Sequence, residues 1–278
     1  MEAYHFGNWI NSTDTYNNDY KNNTPFEHCI IDNFLDDSSF TYLKNKWPES
    51  DSIAWDKYEN PIEMKWTFKN FTSLSEFQRL ISFLQSDKAL SHLREISGID
   101  NLENDPYLHG AGIHYHPTNT KLDIHLDYSI HPITKKERRL NLVYFLNEDW
   151  NEEWNGALEL WSKNKDNHDL PGCCEKKIYP KPNRAIIFKT NDISIHGIPE
   201  IIRCPETTGR KTVAVYYMSE PHDNNIINRK KAIFFPKPGQ PVSDDLLKLY
   251  SIRRERRIER EDLYTNWRTD PIGKGYWY

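Results

Sequence analysis

Between Tyr107 and Ser219 the chain is written as short strand-like segments separated by turn residues, and this grammar restricts the fold more than any other feature. The segments are YLHGAGIHYH, KLDIHLD, RRLNLVYFL, ALELWS, RAIIFKT and KTVAVYYMS. They are rich in β-branched and aromatic residues and are punctuated by Pro, Asn, Asp and Gly. A long succession of short strands predicts a two-sheet jelly roll whose open mouth can hold a ligand.

The chain upstream has a different texture. Residues 8–23 are dominated by Asn, Asp, Ser and Thr, types that favour turns over helix, so residues 1–24 are expected to form an irregular leader. FEHCIIDNF reads as a short apolar strand, and Asp36-Asp37-Ser38-Ser39 offers helix caps before Phe40, Leu43 and Trp47. Trp66 and Phe68 alternate as in a strand. Leu74, Phe77, Leu80, Ile81, Leu84, Leu90 and Leu93 fit two amphipathic helices broken near Ser86-Asp87. Helices first and strands after is an α+β pattern. A single domain over 25–220 is expected, with a helical brace at 36–98 and the jelly-roll core at 107–219, followed by a C-terminal helical extension over 221–278. Within that extension Asp244 to Arg260 is expected to be helical. Its basic run RRERRIER alternates with Glu255, Glu259 and Glu261, the pattern of a solvated, salt-bridged face.

Bulk properties exclude several classes. A formal net charge of −5 gives no overall reason to expect nucleic acid or an anionic membrane as partner. No apolar run approaches the ~18 residues that span a bilayer, and the N-terminus lacks a signal-peptide core, so a cytoplasmic protein is expected. Four cysteines at irregular positions do not make a disulfide framework, and Cys173-Cys174 reads as a loop with free thiols.

Chemistry concentrates at His125-Leu126-Asp127. Two residues apart on a strand, the His125 and Asp127 side chains share a face and can reach one metal ion. Among 11 histidines this is the one His-x-Asp, a pattern that chance alone would produce about once, so its surroundings must carry the argument. With His196 as third ligand, two imidazoles and one carboxylate leave open positions on an octahedron, which suits non-haem Fe(II).

Those surroundings resemble a family. Tyr115 ahead of HLD, RRLNLVYFLNEDW followed by NGALELW, and then PNRAIIFKTNDISIHGI and GRKTVAVYY are similar, in order, to the Fe(II)/2-oxoglutarate dioxygenases of the prolyl-4-hydroxylase-like branch. The resemblance implies a double-stranded β-helix core and an oxidoreductase that hydroxylates an unactivated C–H bond with release of succinate and CO2. It implies Fe(II), 2-oxoglutarate and O2 as cofactor and co-substrates, with ascorbate as an auxiliary reductant. His125, Asp127 and His196 match the iron ligands. Arg210 matches the residue that binds the distal carboxylate of 2-oxoglutarate, with Arg203 as its rival because Arg210 stands 14 positions after His196. Thr212 and Tyr115 match co-substrate-lining positions. Phe145 stands where the branch has a second carboxylate-binding tyrosine, and Asn155 replaces the first glycine of a Gly-Gly pair. His116, His131 and Tyr128 are candidates for the substrate mouth or for purely structural roles.

The implied substrate is a prolyl or other protein side chain. Hydroxylation of a small molecule, a non-catalytic jelly-roll binding module and a zinc hydrolase on the same triad are the competing readings. No nucleic-acid or membrane partner is expected, and the sequence leaves oligomeric state open.

Overall fold

The computed structural model describes residues 4–49, 52, 54–68, 74–223, 229–264 and 267; the tail PIGKGYWY lies outside them. Helix α1 (Thr13–Asn22) occupies the stretch expected to be an irregular leader. Tertiary contacts override its poor helix propensity. Tyr20 is buried, and Asn17 Nδ2 donates to the Glu95 and Ile96 carbonyls, supplying acceptors' partners at the end of a second helix.

Strand β1 (His28–Ile31) leads into α2 (Asp37–Lys44), where the Asp36 carboxylate accepts from the Ser39 amide at 2.8 Å as the expected N-cap. The aromatic stretch that follows forms a hairpin of β2 (Asp56–Asn60) and β3 (Glu63–Phe68). Helices α3 (Ser75–Leu84) and α4 (Asp87–Ser97) are separated where expected, with Ser86 capping the second through the Ala89 amide. Their apolar faces, including Phe77, Leu80, Ile81, Leu90 and Leu93, pack in one core cluster with Tyr115, Val213 and Tyr217 of the sheet. Burial of this kind, about 25 cal/mol per Å² of apolar surface, is the main force holding helices to sheet.

The rest is antiparallel strand: β4 (Glu103–Asn104), β5 (Gly112–Pro117), β6 (Leu122–Leu126), β7 (Glu137–Phe145), β8 (Leu158–Lys163), β9 (Pro171–Ile178), β10 (Ala185–Lys189), β11 (Ile195–Ile198), β12 (Gly209–Ser219) and β13 (Ile233–Phe234). One path runs β1-β10-β7-β12-β5-β3-β6-β11-β8-β9. The sheet curls, so that β5, β7 and β12 face β6, β8 and β11 across an interior cavity lined from both sides. This is the expected double-stranded β-helix architecture, braced by helices on its outer face.

Strand β9 contains the cysteine pair that the sequence reads as a loop. It sits at the end of the path beside β8 and, between its buried ends Pro171 and Ile178, alternates half-buried and exposed residues, so apolar patterning gives it little signal. Helix α5 (Asp244–Glu255) carries the C-terminal extension back onto the sheet, where Leu246, Leu249 and Tyr250 bury against Ile62 and Phe234. Among the described residues no helix is long and apolar enough to cross a membrane.

Candidate metal centre and co-substrate cavity

His125 on β6 and His196 on β11 are direct cross-strand partners, with ring centroids 4.4 Å apart. Gly197 makes this approach possible. A Cβ there would lie 2.8 Å from the Ile124 Cα and 2.9 Å from the Asp123 carbonyl oxygen, so any larger residue would push β11 off β6. One donor atom from each of His125, Asp127 and His196 lies within 4.8 Å of the others, and all three residues are buried.

The donor chemistry fits a metal ion. His125 Nδ1 lies 2.9 Å from the Asp123 carbonyl and His196 Nδ1 lies 2.8 Å from the Ser194 carbonyl. A carbonyl can only accept, so each Nδ1 carries the hydrogen and each Nε2 turns its lone pair inward. Burial, reinforced by neighbouring His196, pulls the His125 imidazole down to about 3, and burial also lowers His196. Both rings are therefore neutral, as ligands must be. Burial alone would raise the Asp127 carboxyl, but the Arg138 guanidinium and the Asn141 hydrogen bond overcome it and hold it ionised. This His-Asp-His set fits iron.

Arg138 and Asn141 complete the support of Asp127 and were not among the residues singled out from the sequence. Asp127 Oδ2 accepts from Arg138 at 2.9 Å and from Asn141 Nδ2 at 2.8 Å, while Arg138 Nε donates to Asn141 Oδ1 at 2.7 Å. The guanidinium lies 3.4 Å from the Tyr216 ring centroid, a cation–π contact that holds its plane. Their signal in the sequence is the lone asparagine inside the apolar run LNLVYF, with an arginine three positions before it, of opposite strand parity, a mismatch relieved by the bulge at Tyr217/Met218.

The ligands stand at one end of a cavity of about 80 Å³ whose walls include Val143, Leu158, Phe188 and Ile198. Arg210 lies in the same cavity, 2% exposed, on the strand face shared with Thr212, Ala214 and Tyr216. Its Nε donates to the Gly156 carbonyl at 2.9 Å, and Phe145 lies under its guanidinium at 5.0 Å. Among the described residues no carboxylate pairs with it, and burial draws the guanidinium down to about 9. Gly156 has φ +79° and its missing Cβ would meet the Trp150 ring at 2.8 Å, which explains a glycine in NGALELW beside Arg210.

Other expectations divide by strand face. Thr212 lines the cavity, its hydroxyl 3.4 Å from the His114 carbonyl. Tyr115 does not reach it. On β5 the neighbours His114 and His116 point into the cavity, whereas Tyr115 points to the opposite face, among Trp47, Trp55 and Trp66 and over Gly209. The period of two forces this alternation. Arg203 is exposed and hydrogen-bonds Asn119, outside the cavity. His116 lines the inner cavity and Tyr128 the mouth, while His131 is buried beside Asp105.

With this geometry in place, the comparisons with known proteins have a physical counterpart. Residues 111–219 match the family described as the 2OG-Fe(II) oxygenase superfamily. A mouse (Mus musculus) protein named prolyl 3-hydroxylase OGFOD1 is 23% identical over 197 residues, covering 69% of this chain and 33% of its own; the chain thus spans about a third of that relative's length. Among solved structures, a Trichoplax adhaerens prolyl hydroxylase, in complex with a hypoxia inducible factor oxygen degradation domain peptide fragment, superposes with a TM-score of 0.53 at 18% identity. That match covers 76% of this chain and 90% of the other. A Pseudomonas putida prolyl-4-hydroxylase gives 0.50 at 13% identity over 75% and 99%. Over residues 111–219 the chain is similar to the 2OG-Fe(II) oxygenase superfamily. Its fold is that of the prolyl-4-hydroxylase-like members.

Proposed function

We propose that the protein is an Fe(II)- and 2-oxoglutarate-dependent dioxygenase that hydroxylates a prolyl or other protein side chain. The observation that carries the reading is Arg210: a buried guanidinium with no carboxylate partner among the described residues, in the cavity that holds the His-Asp-His set. An uncompensated buried cation is costly unless an anion completes it. A guanidinium fork suits a carboxylate, and a dicarboxylate can engage it while its other end reaches the metal.

The chain's own residues have distinct tasks. His125, Asp127 and His196 would hold Fe(II), with Arg138 and Asn141 fixing the carboxylate and the Asp123 and Ser194 carbonyls fixing the rings. Arg210 and Thr212 would bind and orient the distal carboxylate of 2-oxoglutarate. Val143, Leu158, Phe188 and Ile198 keep bulk water from the space between. The bound metal supplies the activation of O2, with 2-oxoglutarate, O2 and R–H converted to succinate, CO2 and R–OH. Prolyl hydroxylases of the same fold favour a protein side chain as R–H, and the unpaired buried thiols Cys29 and Cys204 suit a reducing compartment such as the cytoplasm.

The test is succinate formation from 2-oxoglutarate by the purified full chain with Fe(II) and ascorbate in air, against a His125→Ala/Asp127→Ala control. Succinate above the control is expected. Absence of both succinate and 2-oxoglutarate binding to metal-loaded protein would overturn the assignment.

A further inference from the structure

Outside the ligand set the cavity opens into a mouth of about 170 Å³, and its charge is opposite to that of the chain as a whole. One edge is built by Lys65 on β3, by Lys230 and Lys231 just before β13, and by Arg253 at the end of α5. Lys65 and Arg253 share one buried carboxylate, Glu63, at 3.2 and 2.7 Å, so the three groups together retain one positive charge. Lys230 and Lys231 add two more. Both are exposed, and among the described residues neither has an acidic partner. Arg257, also at this edge, is matched by Asp56. His109, Gly110, Tyr128 and Tyr216 line the mouth as well, and the Arg138–Asp127 pair beside the two tyrosines adds no net charge.

The position of the lysines is fixed. Arg229, immediately before them, is buried and hydrogen-bonds the Asp127 carbonyl and the Asp192 carboxylate, while its amide donates to Ser129 Oγ. After them, β13 pairs with β6 so that Phe234 is opposite His125, with the rings stacked 4.7 Å apart. The cationic edge is thereby locked beside the reacting centre.

Building on the dioxygenase reading, we propose that the substrate is a peptide segment bearing acidic side chains next to the residue to be hydroxylated, with Lys230 and Lys231 as its specificity-determining contacts. A cationic edge beside an uncharged lining fits a few carboxylates flanking a neutral target side chain. A nucleic-acid backbone carries one charge at every phosphate, more than the few net positive charges of this edge offset. Like-charged peptides would be repelled by the same edge, which provides discrimination as well as attraction.

The experiment uses the full chain loaded with Mn(II) and 2-oxoglutarate under anaerobic conditions. Fluorescence anisotropy is read with short labelled peptides that carry a central proline flanked by Asp and Glu, by Ser and Gly, or by Lys, and with a labelled oligothymidylate. The acidic peptide is expected to bind at least about tenfold more tightly than the neutral one at low salt, with the preference shrinking as salt rises. Lys230→Glu/Lys231→Glu should remove or invert that order. Equal binding of the three peptides, binding of none, retention of the order in the double variant, or tighter binding of oligothymidylate would each overturn the substrate assignment. Failure of the wild-type chain to bind 2-oxoglutarate or form succinate would instead strike the dioxygenase reading on which it rests.

Discussion

The Tyr250 hydroxyl donates to Asp123 Oδ2 at 2.6 Å, joining α5 of the C-terminal extension to the residue whose backbone carbonyl orients His125. Asp123 is 2% exposed, and its other carboxylate oxygen takes Lys121 Nζ at 2.7 Å. Tyr250→Phe leaves a buried carboxylate oxygen short of one donor, a loss of about 1–3 kcal/mol in stability. Because the contact also supports a ligand's orientation, Mn(II) affinity should fall roughly tenfold. Thermal unfolding with and without metal checks both; unchanged affinity would confine Tyr250 to a packing role.

Gly197 sets how closely β11 approaches β6. In Gly197→Ala the new methyl carbon would meet Ile124 backbone at 2.8 Å, and backbone cannot move aside as a side-chain tip can. We expect a loss of about 1–3 kcal/mol and a weakened metal site from separation of His196 from His125. Chemical denaturation and metal titration are the measurements, and a wild-type metal affinity would show that the strands tolerate the spread.

Arg210 should trade stability for binding. Replacing a buried, unpaired cation by an apolar residue of similar length removes a desolvation cost, so Arg210→Met is expected to be at least as stable as wild type without ligand. It should lose the rise in unfolding temperature that 2-oxoglutarate gives the metal-loaded wild type. An undiminished rise would remove Arg210 from the co-substrate site.

Glu63 makes a pH-dependent contribution. Burial acts to raise its carboxyl, but Lys65 and Arg253 overcome this and hold it at about 2, below its ordinary 4.5. A depressed carboxylate stabilises the fold fully above the ordinary value, and that contribution disappears as pH falls from 4.5 towards 2. Glu63→Gln should cost about 3 kcal/mol near neutrality, and the gap to wild type should narrow across that acidic window. Unfolding temperature against pH for the two proteins gives the answer; a constant gap would refute the linkage.

Tyr115→Phe separates family resemblance from geometry. With its ring packed among Trp47, Trp55 and Trp66 on the far face of β5, loss of the hydroxyl should leave the affinity for 2-oxoglutarate unchanged. Calorimetric titration of metal-loaded protein tests this, and a severalfold weakening would return Tyr115 to the cavity wall.

The strand grammar after Tyr107, the broken helix pair around Ser86 and the shared face of His125 and Asp127 are consequences of local periodicity and capping, so the sequence alone determined them. Those rules act within a few residues. What they could not supply is pairing between distant segments: that α1 forms because α4 and the core receive it, that PGCCEKKI becomes a strand because β8 offers its edge, and that Tyr115 faces the aromatic core while His114 and His116 face the cavity. The same holds for the basic run at the C-terminus. In sequence it reads as a solvated face of a helix running to Arg260, but α5 ends at Glu255 and Arg256 pairs with Asp262 of the turn that follows. Arg253 instead reaches buried Glu63, 190 positions earlier, because α5 docks on the hairpin of β2 and β3. A charge pattern along one helix records which side chains share a face, but only the tertiary structure decides which buried carboxylate that face meets.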